Sequence, residues 1–224
     1  KYHWVKRADR AGRMVDTLEY SDVAFPRERF TPELLAELQQ AVPTLLDVKD
    51  DTVFVKHLYV ERRLRALDLF LQRASDEEVD QAMSELGRCL KELAVANIFA
   101  GDLLYKNFGV TRLGRVVFYD YDEVEPLTRM SFRELPVPQH PEDELRAEPW
   151  FSVGAQDVFP EEWARFLYTS ERVEAALRKH HPDLFTAAWW ANVKRELECG
   201  RTFYPLPYPE SLRFSRRFAR PSRP

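Results

Sequence analysis

The apolar positions of this chain change period along its length. Behind Ser75 they recur at helical spacing, with Val79, Met83, Leu86, Leu90 and Leu93 on one face as far as Asn97. Ser75-x-x-Glu78 stands in front of them as a capping box, in which each side chain satisfies an amide left over at the helix start. Thr31-Pro32-Glu33 predicts a second helix, an N-cap followed by proline at the first helical position. Its stripe is Leu34, Leu35 and Leu38, it runs to about Ala41, and Pro43 ends it. Thr52–Val60 (TVFVKHLYV) is rich in β-branched and aromatic residues and predicts a strand. Residues 64–72 read as a short helical stretch.

After Asn97 the helical period stops. Residues 97–109 read as a loop, and Gly109–Thr111 with Arg115–Tyr119 as a small hairpin turning at Leu113-Gly114. Beyond Asp122, prolines at 126, 136, 138, 141 and 149 punctuate a loop-rich stretch. Helices are predicted near 160–168, 171–180 and 183–198. Residues 1–30 show weak periodicity, and the tail from Ser211 holds five arginines and no acid. The fold class read from this is α+β, mainly α.

Composition narrows the chemistry. Seven glycines among 224 residues is under half the usual share, and none stand in G-x-G or Walker A spacing. A Rossmann fingerprint, a Walker A loop and a kinase-type glycine-rich loop are therefore excluded within these residues. The formal charge of -4 argues against a nucleic-acid partner. Cys89 and Cys199 form no disulfide scaffold and no metal-ligand spacing, so a reducing cytoplasm is expected. No apolar run has the length of a membrane span. The chain opens on Lys1, which reads as a piece of something longer.

The chemistry concentrates in Ala96–Glu123, ANIFAGDLLYKNFGVTRLGRVVFYDYDE. Asp102 is followed by Asn107 at the Asp-x-x-x-x-Asn spacing of the protein-kinase catalytic loop. A hairpin then leads to Asp120 at a strand end, where kinases place the Asp of Asp-Phe-Gly. Such a site needs a carboxylate to accept or orient a hydroxyl proton. It also needs an amide and a second carboxylate to hold Mg²⁺ against phosphates. Lys106 can add positive charge at a transferring phosphoryl group. The pattern is degenerate, since Ala100-Gly101-Asp102 replaces His-Arg-Asp and Asp120-Tyr121-Asp122 replaces Asp-Phe-Gly. The same strand followed by Asp120-x-Asp122 also matches dehalogenase-type phosphatases and the Asp-x-Asp of glycosyltransferases. His57, His180, His181 and the Trp189-Trp190 pair read as packing, surface or cap residues, and Asp16 as a loop carboxylate.

Taken together, these residues resemble the bacterial isocitrate dehydrogenase kinase/phosphatase family. The likeness runs through GRMVDT, FPRERF, HLYVERRL, the Ala96–Glu123 block, PEDELRAEPWFSV and DVFPEEW. Ala100 stands where that family is expected to carry proline. The resemblance implies a kinase-like fold. Residues 1–60 would be the end of the small lobe, with Thr31–Ala41 as its αC-like helix. Residues 61–210 would be the hinge and large lobe, and 211–224 a basic tail. It implies a cytoplasmic enzyme that phosphorylates and dephosphorylates a serine of isocitrate dehydrogenase, switching carbon between the citric acid cycle and the glyoxylate bypass. The cofactors implied are ATP and Mg²⁺ (or Mn²⁺), with AMP or ADP acting on the phosphatase side or allosterically. No nucleic acid or membrane partner is implied, and a homodimer of the full-length protein is allowed. By position Asp102 is the catalytic-loop aspartate, with Lys106 beside it, and Asn107, Asp120 and Asp122 are metal ligands. Asp16 matches the aspartate associated with phosphatase action. Glu61 and Leu64 mark the hinge that borders a nucleotide, and the covering loop and ATP-binding lysine would precede Lys1.

Overall fold

The capping box predicted at Ser75 forms: Ser75 Oγ accepts the Glu78 amide at 3.2 Å, and Glu78 Oε2 accepts the Ser75 amide at 2.8 Å. In the computed structural model, which describes residues 2–137, 151–163, 167 and 170–201, the chain is mixed α/β. The helices are α1 (Tyr2–Ala8), α2 (Pro32–Ala41), α3 (Leu67–Leu71), α4 (Asp76–Val95), α5 (Glu171–His180) and α6 (Ala187–Glu198). The strands are β1 (Thr17–Pro26), β2 (Leu46–Lys49), β3 (Thr52–Glu61), β4 (Arg65–Ala66), β5 (Ile98–Ala100), β6 (Phe108–Val110), β7 (Val116–Phe118), β8 (Val124–Pro126), β9 (Ser131–Phe132) and β10 (Asp157–Val158). Two compact units contain them. One is Val15–Arg63, and the other joins residues 1–14 to those from Leu64 onward.

The Val15–Arg63 unit is an antiparallel sheet in the order β1-β3-β2, together with α2. Both sequence expectations here are met, with Thr31 Oγ1 capping α2 through the Leu34 amide at 3.2 Å. Strand β1 was not visible in the sequence because most of its residues are exposed on both faces, which erases the period-two signal. His57, on the central strand β3, lies edge-on to Tyr59 with ring centroids 4.6 Å apart.

The larger unit is organised on α4. Its buried face is Val79, Ala82, Met83, Leu86, Gly87, Cys89, Leu90, Leu93 and Ala94, packed against β5, β7, α5 and α6. Each of the five large side chains is worth roughly 1.5–3 kcal/mol on burial. The helix stops at Asn97, which takes the left-handed φ of 63° and accepts the Thr128 amide through Oδ1 at 3.0 Å. Phe99, Phe132, Trp163 and Trp190 form an aromatic cluster, and the Trp190 indole N–H donates to the Leu184 carbonyl at 2.8 Å.

At one end of α4, Arg13 is only 2% exposed. Its Nε donates to Glu92 at 2.5 Å, and its Nη1 donates to Glu85 at 3.0 Å and to the Val116 carbonyl at 2.8 Å. Burial pulls the guanidinium pKa down, but the bonds to Glu92 and Glu85 outweigh it and hold it above its ordinary value. The Arg13 carbonyl accepts the Phe118 amide at 2.7 Å, and Met14 forms a parallel bridge with Phe118, so the segment before Val15 lies along β7.

Four local expectations are corrected. Residues 64–72 are not one helix, because Arg65-Ala66 pairs with Val110-Gly109 before the five-residue α3 begins. Residues 97–109 are not all loop, because the wholly buried Ile98–Ala100 pairs with β8. Such short strands have no periodicity of their own, and their partners are distant in sequence. The last helix starts at Ala187, since Pro182–Phe185 form a separate 3-10 turn. Pro160–Glu162 is likewise a 3-10 turn, and Tyr168 lies outside the described residues. The basic tail and Pro138, Pro141 and Pro149 also lie outside them.

His181 is a packing residue. Its Nε2 donates to the Ser84 carbonyl at 2.9 Å, and a Cβ built on Gly87 would fall within the His181 ring. Gly87→Ala is therefore expected to lower the melting temperature by several degrees, although alanine is the better helix former by about 1 kcal/mol. Thermal unfolding checks this, and a rise would contradict it. Burial holds the His181 imidazole below its ordinary pKa, with the charges of Lys91 and His180 adding to the effect. The unfolded chain then takes up this proton first, from about pH 6.5 downward. The stability owed to neutral His181 is complete above that pH and is lost as pH falls through the lower folded-state value. On acidification from pH 7.5 to 5.5, the native protein should lose more melting temperature than a His181→Gln variant.

Candidate active site

Two antiparallel ladders frame the site. In one, β5 pairs with β8, Ala100 lying opposite Val124; in the other, β6 pairs with β7, Phe108 lying opposite Phe118. Residues 101–107 connect the end of β5 to the start of β6, and residues 119–123 connect the end of β7 to the start of β8. The two connections therefore cross the same gap side by side. One carries Asp102, Lys106 and Asn107, and the other carries Asp120 and Asp122.

Backbone contacts hold both in place. At the β5 end, a Cβ on Gly101 would come 2.7 Å from the Glu123 carbonyl oxygen, so the strands approach too closely there for any side chain. At the β6 end, the Tyr119 amide donates to the Asn107 carbonyl at 3.0 Å. Asp102 Oδ1 accepts the Leu104 amide at 2.9 Å, and Asp120 Oδ1 accepts the Asp122 amide at 3.0 Å. Each aspartate thus makes a local turn of its own connection. Buried Leu103, Tyr105 and Tyr121 anchor the alternate positions, while Asp102 and Asp120 are half-buried and Asp122 and Lys106 exposed.

Asn107 is 5% exposed and its Nδ2 donates to the Asp102 carbonyl at 3.3 Å. The amide nitrogen is thereby committed within the loop, and Oδ1 is the atom left to meet a cation. Among the described residues, no three His, Cys, Asp or Glu side chains gather as a metal-holding group. An amide oxygen with one or two carboxylates is nevertheless the sparse, hard donor set that suits Mg²⁺, which keeps several ligands for water and phosphate.

The remaining predicted residues lie elsewhere. Asp16 and Glu61 belong to the Val15–Arg63 unit, where both are exposed and Glu61 Oε1 accepts the Thr17 hydroxyl at 2.7 Å. Leu64 is half-buried against Gly109, where an added Cβ would come 2.8 Å from Leu64 Cδ1. A groove of about 570 Å³ in the Val15–Arg63 unit is lined by Pro26, Arg27, Phe30, Pro32, Leu35 and Asp51 among others, and by none of the predicted site residues. Gly101 and Tyr119 were missed as site residues, because close backbone approach and cross-strand clasps leave no mark in motif spacing.

A family model for the kinase domain of isocitrate dehydrogenase kinase/phosphatase matches residues 1–210. The chain belongs to that family. The isocitrate dehydrogenase kinase/phosphatase of Aromatoleum aromaticum is 51% identical over 214 residues, covering 96% of this chain and 36% of the relative. The protein of the same name from Bordetella parapertussis is 50% identical over 223 residues, with 100% and 37% covered. That from Burkholderia cenocepacia is 52% identical over 218 residues, with 97% and 36% covered. The chain thus spans little more than a third of the length of these curated relatives, and the family expected from its motifs is the one found.

The packing at Gly101 makes one expectation concrete. Gly101→Ala should open the β5/β8 end and disorder the Asp102 turn while leaving the α4 core intact. Amide exchange read at Leu104 and Asp122, whose amides are held by Asp102 and Asp120, should speed up at least about tenfold, a loss of about 1.4 kcal/mol of local protection, with little change elsewhere.

Proposed function

We propose that this chain is the catalytic part of a bifunctional protein serine kinase/phosphatase acting on isocitrate dehydrogenase, with a kinase-like large lobe. The observation that carries the reading is the pairing of the two connections. It puts Asp102, Lys106 and Asn107 across one gap from Asp120 and Asp122, in the chain order of a kinase catalytic loop followed by its metal-binding segment. Family membership supports the substrate and the two opposed activities.

In this reading Asp102 orients the substrate serine and accepts its proton as the γ-phosphoryl group of ATP is transferred. Lys106 faces the negative charge that develops on that group. Asn107, Asp120 and Asp122 would hold Mg²⁺ or Mn²⁺, which when bound neutralises charge on the phosphates. The Val15–Arg63 unit is read as the end of the small lobe, and the unit from Leu64 onward, which residues 1–14 join, as the large lobe. Asp16 serves the phosphatase reaction, on which AMP or ADP acts. The setting is the cytoplasm, and among the described residues no helix is long and apolar enough to cross a membrane.

Dehalogenase-type chemistry at Asp120 gains no support from the fold. It calls for alternating strands and helices downstream, whereas β8 turns back antiparallel onto β5 and is followed by a 3-10 turn and the β9/β10 pair.

The test is transfer of labelled phosphate from ATP to isocitrate dehydrogenase by the full-length protein, and its release with AMP present. Asp102→Ala and Asp120→Ala should each cost at least ~10² in the kinase rate, and Asp16→Ala should harm release more than transfer. Unchanged kinase rates in either of the first two variants would overturn the assignment, and a full-length protein that transfers no phosphate from ATP would be a non-catalytic binding module. A trapped phospho-aspartate on Asp120 would turn the assignment to a hydrolase.

A further inference from the structure

Tyr119 makes two clasps that the functional reading does not use. Its amide donates to the Asn107 carbonyl at 3.0 Å, and its phenol donates to the Lys106 carbonyl. One residue therefore grips two consecutive carbonyls of the connection that carries Lys106 and Asn107. The next residue along the chain is Asp120. The gripped stretch is the 3-10 turn Tyr105–Asn107, whose other fixed point is the Asn107 side chain bonded to the Asp102 carbonyl at 3.3 Å.

The phenol supplies a second point of attachment beside the backbone bond, so the turn that carries Asn107 is held at two successive carbonyls by the residue next to Asp120.

We propose that Tyr119 is a positioning residue that sets the spacing of Asn107 and Asp120 as a pair of cation ligands. The proposal rests on the functional reading above, which supplies the cation. Loss of a residue that orients metal ligands without touching the metal commonly costs about 10–100-fold in metal affinity.

The test is a Mn²⁺ titration followed by electron paramagnetic resonance on the full-length protein with ADP present, comparing wild type, Tyr119→Phe and Asp120→Ala. Tyr119→Phe removes only the hydroxyl and keeps the amide clasp. It is expected to weaken Mn²⁺ binding about tenfold while the melting temperature stays at the wild-type value, and to lower kcat with little change in KM for the protein substrate. Mn²⁺ binding by Tyr119→Phe equal to wild type, with Asp120→Ala impaired, would overturn the proposal and leave the functional reading standing. A melting temperature several degrees lower would overturn it too, because the weaker binding would then reflect general loss of structure. Wild-type binding retained in Asp120→Ala would instead sink the functional reading, and the proposal with it.

Discussion

Burial of one face of α4 is the constraint on which the larger unit depends, because every element that shapes the candidate site is packed directly or at one remove against that face. Strands β5 and β7 lie against it, and each leads into one of the two connections that carry the polar residues. The helix is fixed at both ends. The capping box sets its start, and Asn97 ends it in a left-handed conformation that turns the chain straight into β5. A shift of α4 by even one residue would move β5 and β7, and with them the gap between Gly101 and Glu123.

Arg13 ties the same helix to β7 from the other side. A guanidinium this deeply buried is costly unless its charge is matched, and here Glu85 and Glu92 on α4 supply two carboxylates while the Val116 carbonyl takes a third bond. The arrangement is satisfied only when α4, β7 and the residue 9–14 segment are all in place. Asp9 reinforces it by accepting the amides of Ala11, Arg13 and Met14. The polar network thus specifies a particular docking of elements that apolar burial alone would leave free to slide.

The site itself is built mostly from main chain. Asp102 and Asp120 are each occupied in a local turn, Asn107 in a bond to the loop's own carbonyl, and Tyr119 in clasping the neighbouring connection. Such an arrangement is preorganised by its ladders. Few glycines are needed for this. Gly101 and Gly109 stand where another backbone or side chain leaves no room for a Cβ, and Gly114 supplies the positive φ of the hairpin turn.

What was legible in the sequence was what local chemistry fixes. α4 with its cap, α2 with its threonine, the β3 strand, the Leu113-Gly114 turn and the Asp102–Asn107–Asp120 order all follow from spacing and side-chain type, which act over a few residues. What only the tertiary structure decided was whatever depends on a distant partner. Ile98–Ala100 is a strand because Val124–Pro126 pairs with it, β1 because β3 does, and the half-buried His181 packs on α4 because Gly87 leaves it space. The closeness of the two connections, and the clasp of Tyr119 across them, are of the same kind. They arise from pairing between strands distant in sequence, and a linear pattern carries the polar residues but not the contacts that position them.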